Sequence, residues 1–248
     1  MSADCPICHG TGFRLEDGPG GVVSSTRCEC SVEERADRML QAARIPARYA
    51  HCTFESFEIH DPTHERALRR AREWADLYPV VDQGLLLLGG PGRGKTHLAV
   101  AVAAELVRAK GVLVRFHEQR ALLKALQGTF ESGADARESE VLRPVLDVDV
   151  LILDDLGAGR TTLWARDVLH DIIAHRYNEQ KTLIITSNLR VGDETEPAPA
   201  ARKGLDAPLT LKDRLGDALI SRLHEMCQVI RVAGKDYRSG VLAQRARF

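Results

Sequence analysis

The sequence predicts an α/β fold, a parallel five-stranded sheet flanked by helices, with a small cysteine-bearing module in front of it. Three observations predict it. From about Thr63 onward, short apolar runs alternate with longer helix-patterned stretches, as in a parallel sheet covered on both faces. Residues 89–96 read Gly-Gly-Pro-Gly-Arg-Gly-Lys-Thr and stand between one such run and a helix. Four of the six cysteines fall within the first thirty residues.

Residues 1–32 are rich in Cys and Gly and lack a long apolar pattern. A module this small buries too little apolar surface to fold without a staple. Glu33–Arg44 is made of good helix formers, and Pro46 ends that helix by pushing the residue before it out of the helical region. Residues 47–62 form an irregular connector whose rings, Tyr49, Phe54 and Phe57, are placed to dock on the large domain. The expected organisation is a module over 1–45, a linker over 46–62 and a large domain over 63–248.

Within the large domain, helices are expected at Thr63–Leu77, Thr96–Lys110, Gln119–Gln127, Glu138–Leu146, Leu163–Glu179 and Leu211–Met226. Strands are expected at Leu85–Leu88, Val112–His117, Val150–Asp154, Thr182–Thr186 and Gln228–Val232. In Thr96–Lys110, the residues Ala99, Val102, Ala103 and Leu106 recur at helical spacing. Residues 192–208, rich in Pro, Ala, Gly and charge, read as a mobile loop.

Composition narrows the function classes. A 248-residue chain suffices for one large domain and one small one. Hydrophobic content of 44% and charged content of 28% describe an ordinary soluble protein. A net charge of −1 argues against a globally basic nucleic-acid binder and leaves room for a local basic patch. No apolar run reaches the roughly 18 residues that span a bilayer. The first residues are acidic and cysteine-bearing where a signal peptide is basic and then apolar. The expectation is a cytoplasmic protein with no membrane partner.

Gly89, Gly94, Lys95 and Thr96 satisfy G-x-x-x-x-G-K-[ST] between an apolar strand and a helix. The glycines let backbone N–H groups turn inward around phosphate oxygens, and the helix start adds its dipole. Gly89, Gly90, Pro91, Gly92, Arg93, Gly94, Lys95, Thr96 and His97 are therefore candidate ATP-binding residues, with Lys95 on the β/γ-phosphates and Thr96 on Mg²⁺. Asp149–Gly157 is a second apolar strand ending in two carboxylates. Asp154 is the candidate Mg²⁺ residue, and Asp155 orients or deprotonates the attacking water. The alternative for Asp155 is a turn cap before Gly157. Asn188, at the end of Thr182–Asn188, is a candidate partner of the γ-phosphate or the water, or simply a turn former.

Cys5-Pro-Ile-Cys8 and Cys28-Glu-Cys30 supply four thiolates, a set suited to tetrahedral structural Zn²⁺. His9 in place of one sulfur, or an iron–sulfur cluster, are the alternatives. Cys52 and Cys227 read as buried core thiols.

These motifs resemble those of the AAA+ ATPases, and within them the bacterial replicative-helicase loaders of DnaC/DnaI type and the related IstB-type transposition ATPases. The resemblance is carried by the loop Gly89–Thr96, by Asp154-Asp155-Leu156-Gly157, by Thr186-Ser187-Asn188 and by Ile220-Ser221-Arg222-Leu223. Val229-Ile230-Arg231-Val232 and Asp236-Tyr237-Arg238 extend it, so that it covers roughly residues 45–240. It implies an AAA+ core with slow, assembly-dependent ATP hydrolysis, in which Arg222 is the arginine finger for a neighbouring subunit. Without the resemblance, Arg222 reads as a surface helix arginine.

The resemblance also implies partners: a hexameric replicative DNA helicase gripped by the N-terminal module, single-stranded DNA, and self-association through the ATP sites. Candidate DNA contacts are Arg120, Lys124, Arg137 and the ring of Phe130. Two departures stand out. Asp155 replaces the usual glutamate, which predicts slow turnover. Sixteen residues come after Val232, fewer than an AAA+ helical lid needs, so the lid domain is expected to be missing, with Arg238 as a partial substitute for its sensor arginine. The rival functions are an ATPase serving a transposase and a nucleotide-gated DNA or protein adaptor with negligible turnover.

Overall fold

A computed structural model describes residues 5–17, 23–131, 135–159, 162–192, 209–234, 236 and 237. The module opens with a hairpin, β1 (Phe13–Asp17) and β2 (Val23–Arg27), paired antiparallel. The sequence predicts no strands here, because Arg14-Leu15-Glu16 against Ser24-Ser25-Thr26 presents no buried apolar face to reveal them. Helix α1 (Glu29–Ala42) begins four residues earlier than expected. Cys28 holds its N-cap position and Cys30 lies in its first turn, so the cysteine pair and the helix are one unit.

Helix α2 (Pro62–Leu77) starts where Asp61 accepts a hydrogen bond from Thr63 N and Pro62 fills the first turn. Next come β3 (Gly84–Leu88), α3 (Lys95–Lys110), β4 (Val114–Glu118), α4 (Gln119–Glu131), α5 (Asp135–Asp147) and β5 (Val150–Asp154). The chain continues through α6 (Leu163–Asn178), β6 (Thr182–Ser187), α7 (Leu211–Leu215), α8 (Asp217–Met226) and β7 (Cys227–Arg231). The single helix expected over Leu211–Met226 is two. Gly216, with φ 84° and ψ 163°, breaks it, and an added Cβ there would stand 2.6 Å from the Arg166 guanidinium. The expected mobile loop falls, from residue 193 to 208, outside the described residues.

The five strands β4-β5-β6-β3-β7 form one parallel sheet in that order. Every residue of β3 and β5 is buried, which is why both read as unbroken apolar runs rather than alternations. Leu85, Leu87, Phe116, Ile152, Ile184 and Ile230 pack on one face with α2 and α3. Leu86, Leu151, Leu153, Leu183 and Ile185 pack on the other, against α4, α6 and α8. Cys52, Phe54 and Phe57 from the connector are buried in the first of these cores, and Cys227 in the second. The end of the α1 segment also shields the edge strand: Phe116 N donates to Ala43 O at 2.8 Å.

Parallel register brings the strands' carboxyl ends to one rim, with Glu118 opposite Asp154 and Leu88 opposite both Ser187 and Arg231. In open α/β sheets this rim is where ligands bind. Its geometry is braced from the far end by Arg176, which is fully buried on α6. Its guanidinium donates to the carbonyls of Val145, Leu146, Val148, Asp149 and Thr182, capping α5 and tying it to the starts of β5 and β6. Burial lowers its pKa to about 10, which still leaves it charged at neutral pH.

These buried groups give two testable outcomes. Arg176→Met leaves those carbonyls without donors and lowers unfolding free energy by about 3 kcal/mol, read from urea titration. His117 on β4 is pushed down to about 4 by burial and by the charges of Arg115 and Arg44. The unfolded chain therefore binds its proton near the ordinary pKa of about 6.5 while the folded chain does not. Stability falls as pH drops from about 6.5 towards 4, and His117→Gln flattens that decline in the urea midpoint.

Candidate nucleotide site and metal centre

Loop 89–94 leaves β3 and turns into α3 with its glycines in the left-handed region, φ 66° at Gly92 and 87° at Gly94. An added Cβ would lie 2.6 Å from the Phe57 ring at Gly94 and 1.6 Å from Asp236 Oδ1 at Gly92. The left-handed conformation calls for glycine at both positions, and at Gly94 the Phe57 ring also leaves no room for a side chain. Lys95 is 6% exposed. Its Nζ donates to Gly90 O at 2.8 Å and to Asn188 Oδ1 at 2.7 Å, both neutral acceptors. A buried ammonium at the mouth of a glycine-rich loop and a helix start fits the polyphosphate of a nucleotide.

Asp154, 5% exposed at the end of β5, accepts from Thr96 Oγ1 and from Thr186 Oγ1, each at 2.7 Å through Oδ1. Thr186 Oγ1 in turn accepts from Asp155 N at 2.9 Å. A hydroxyl and a carboxylate at the mouth of a phosphate loop are the hard oxygen donors that Mg²⁺ prefers. Asp155 adopts φ 61°, a conformation that Asp tolerates better than most residues. Its Oδ1 accepts from Asn188 Nδ2 at 2.5 Å. Asn188 thus bridges the Lys95 ammonium and the Asp155 carboxylate.

These groups share a cavity of about 770 Å³, a size within the usual range for small-molecule sites. Much of its remaining wall comes from the connector: Arg48, Tyr49, His51, Ser56, Phe57 and His60. The sequence marks Tyr49 and Phe57 as docking rings and does not reveal the others, since isolated polar residues in an irregular stretch carry no periodicity. His97 Nε2 sits 2.9 Å from Thr53 O and 3.2 Å from Ser56 Oγ, pinning the connector to α3. Burial, the largest influence, lowers the pKa of His97. The segment after β7 closes the other side, where Tyr237 N donates to Gly92 O at 2.9 Å and its ring stacks on His60.

In the module, the sulfurs of Cys5, Cys8, Cys28 and Cys30 all lie within 4.8 Å of one another. Cys5 and Cys28 are 3.7 Å apart, and Cys8 and Cys30 3.5 Å. A tetrahedron of zinc–sulfur bonds of about 2.3 Å places its sulfurs about 3.8 Å apart, so the four thiols fit that ion. Burial alone raises Cys8, but the Gly12 backbone and the Cys30 and Cys5 thiols outweigh it and bring it down to about 6. His9 is exposed and outside the four-sulfur group.

Residues 28–244 match the family model described as IstB-like ATP binding protein. The chain belongs to that family. Among relatives of this IstB-like protein, the replicative helicase loader DnaC of Escherichia coli strain K12 is 25% identical over 211 residues, covering 82% of each chain. The loader DnaC of Buchnera aphidicola is 25% identical over 156 residues, 62% of this chain and 63% of that one. The uncharacterized protein YqaM of Bacillus subtilis is 27% identical over 218 residues, 82% of this chain and 61% of that one. The chain thus spans under two thirds of the length of the Buchnera and Bacillus proteins. A crystal structure of the DnaC helicase loader aligns with a TM-score of 0.63 at 32% identity, covering 75% of this chain and 99% of that one. The fold is the AAA+ α/β core with a five-stranded parallel sheet.

The IstB-like chain gathers Lys95, Thr96, Asp154, Asp155 and Asn188 in one cavity, whereas Arg222 does not line it. Arg222 is half-buried on α8, with Nη1 2.6 Å from His170 Nε2 on α6. Arg120 and Lys124 are exposed on α4. The side chains of Phe130 and Arg137, and all of Arg238, lie outside the described residues. No helix among the described residues is long and apolar enough to cross a membrane.

Purified protein is expected to carry about one zinc per chain, measured by atomic emission. Chelation should raise amide exchange across residues 5–28 while the buried strands β3, β5 and β6 stay protected. Equal exchange with and without chelator would remove the metal's structural role.

Proposed function

We propose that this IstB-like protein is an ATP-dependent loader of the replicative DNA helicase. The observation that carries the reading is the 32% identity to the DnaC helicase loader structure across 99% of that chain. The four-cysteine group ahead of the ATPase core supports it as a place for partner docking. On this reading, residues 1–45 grip a hexameric helicase, 46–62 link, and 63–248 bind and hydrolyse ATP.

Bound Mg²⁺ would offset charge on the β- and γ-phosphates. Lys95 neutralises the same oxygens, and loop amides from 89–94 surround them. Thr96 and Asp154 would hold that ion. Asn188 leaves one of its two partners to meet the γ-phosphate or the attacking water, which Asp155 orients. Asp155 reaches less far than a glutamate, so turnover is slow. Arg222 lies outside its own cavity, as a residue serving a neighbouring subunit's site does. A guanidinium there stabilises the charge developing on the transferred phosphoryl. Single-stranded DNA is contacted along α4, beginning with Arg120 and Lys124.

A second reading, an ATPase serving a transposase, is favoured by the IstB-like family match over residues 28–244. The two separate on their partner. The unaltered chain, mixed with ATP and the replicative helicase of the same organism, should co-elute with it, and deleting residues 1–45 should abolish the complex. Absence of a complex, while ATP still binds, sinks the loader reading.

Two substitutions test the site itself. Lys95→Ala should weaken ATP binding by about a hundredfold or more by calorimetry, since a buried charge-assisted contact to phosphate is lost. Arg222→Ala should leave ATP affinity unchanged and lower turnover of the assembled protein by about 10³-fold. Equal turnover of mutant and parent assemblies would rule the finger out.

A further inference from the structure

We propose that Glu118 is a second catalytic carboxylate of the ATP site, orienting the attacking water together with Asp155. The inference rests on the ATPase reading of this cavity and adds a residue outside both the loop 89–96 and the strand end Asp154-Asp155.

Glu118 is the last residue of β4 and the register partner of Asp154 across the parallel pair. Register partners share a face of the sheet: Phe116 and Ile152, two residues earlier on each strand, lie in the same core. Glu118, Asp154 and Thr186 therefore form a row across the carboxyl rim, on the α3 side. Glu118 lines the same cavity as Lys95, Thr96, Asp155 and Asn188. Asp154 already accepts two hydroxyls and Asp155 an amide, whereas the Glu118 carboxylate has no hydrogen-bond or ion-pair partner among the described residues.

Its position relative to Asp155 is also held. The next residue, Gln119, is 2% exposed, and its Oε1 accepts from Gly157 N at 2.6 Å. That bond clamps the corner between β4 and α4 to the turn that begins at Asp155. A carboxylate kept at a wet rim beside two others is costly unless it meets a donor. Glutamate reaches one methylene further than aspartate, which supplies the length that Asp155 lacks.

In the step, the water donates one hydrogen bond to Glu118 and one to Asp155. Its oxygen bonds to the γ-phosphorus as the bond from that phosphorus to the β–γ bridging oxygen breaks. ADP keeps that electron pair, and the proton lost by the water leaves on inorganic phosphate. Glu118 acts by accepting and aiming, and no further reactant is needed.

The test compares the 248-residue chain with Glu118→Gln and Glu118→Asp, measuring ATP affinity by calorimetry, steady-state turnover across a Mg²⁺ titration up to saturation, and Tm. Glu118→Gln keeps shape but weakens acceptance. It should lower kcat by about tenfold or more while ATP affinity stays within about threefold and Tm is unchanged. Glu118→Asp should fall between parent and Gln variant. Unchanged kcat in Glu118→Gln overturns the proposal, as does a loss that disappears on raising Mg²⁺, or one matched by lost ATP binding or Tm. Absence of turnover in the parent chain, with ATP bound, overturns the ATPase reading and this one with it. A parent that turns over beside an equally active Glu118→Gln removes this proposal alone.

Discussion

The site is organised around one buried carboxylate. Asp154 sits at the end of a strand that is buried throughout, where an unpaired charge is heavily penalised. Its Oδ1 takes hydroxyl hydrogens from Thr96 on α3 and Thr186 on β6. Three elements are thereby locked at one point: the helix that succeeds loop 89–94, the strand β5, and the central strand β6 that leads into Asn188. Moving any one of them by an ångström would leave a buried acceptor short of donors.

A second layer runs from Lys95 through Asn188 to Asp155. Asn188 can serve both partners because its amide offers an acceptor to the ammonium and a donor to the carboxylate. This links the Lys95 ammonium to the Asp155 carboxylate through one side chain. A phosphate that draws Lys95 away from Asn188 also changes what Asp155 holds. The walls are tied in as well: the connector is pinned to α3 through His97, and the segment after β7 is pinned to the loop through Tyr237 and Gly92. Segments from both sides of the sheet-forming region therefore touch the nucleotide cavity.

Most of the fold could be read from the sequence because its signals are local. Leu85–Leu88 and Val150–Leu153 are unbroken apolar runs since strands covered on both faces need them. The cysteine pairs were legible for a different reason, since four thiols at two short spacings have few other uses. The hairpin β1–β2 was not, because its exposed polar alternation looks like loop. The break at Gly216 was hidden because the apolar spacing of Leu211, Leu215 and Leu219 continues across it. Arg176 gave no hint at all. A lone arginine in a helix pattern reads as surface, and its five carbonyl partners come from a helix end and two strand starts that only meet in the folded chain.

By itself the sequence determined the class of chemistry: a glycine loop with lysine and threonine, carboxylates at a strand end, and a four-thiolate group. Each is written in a few adjacent residues, because backbone conformation and strand burial act over short distances. The tertiary structure decided which of those residues share a cavity, that the connector forms part of its wall, and that Arg222 stands apart from it. Parallel register also set Glu118 beside Asp154, although they are 36 positions apart in the chain. Such proximity depends on how strands align across a sheet, and strand alignment is fixed by packing of the whole core rather than by any local pattern.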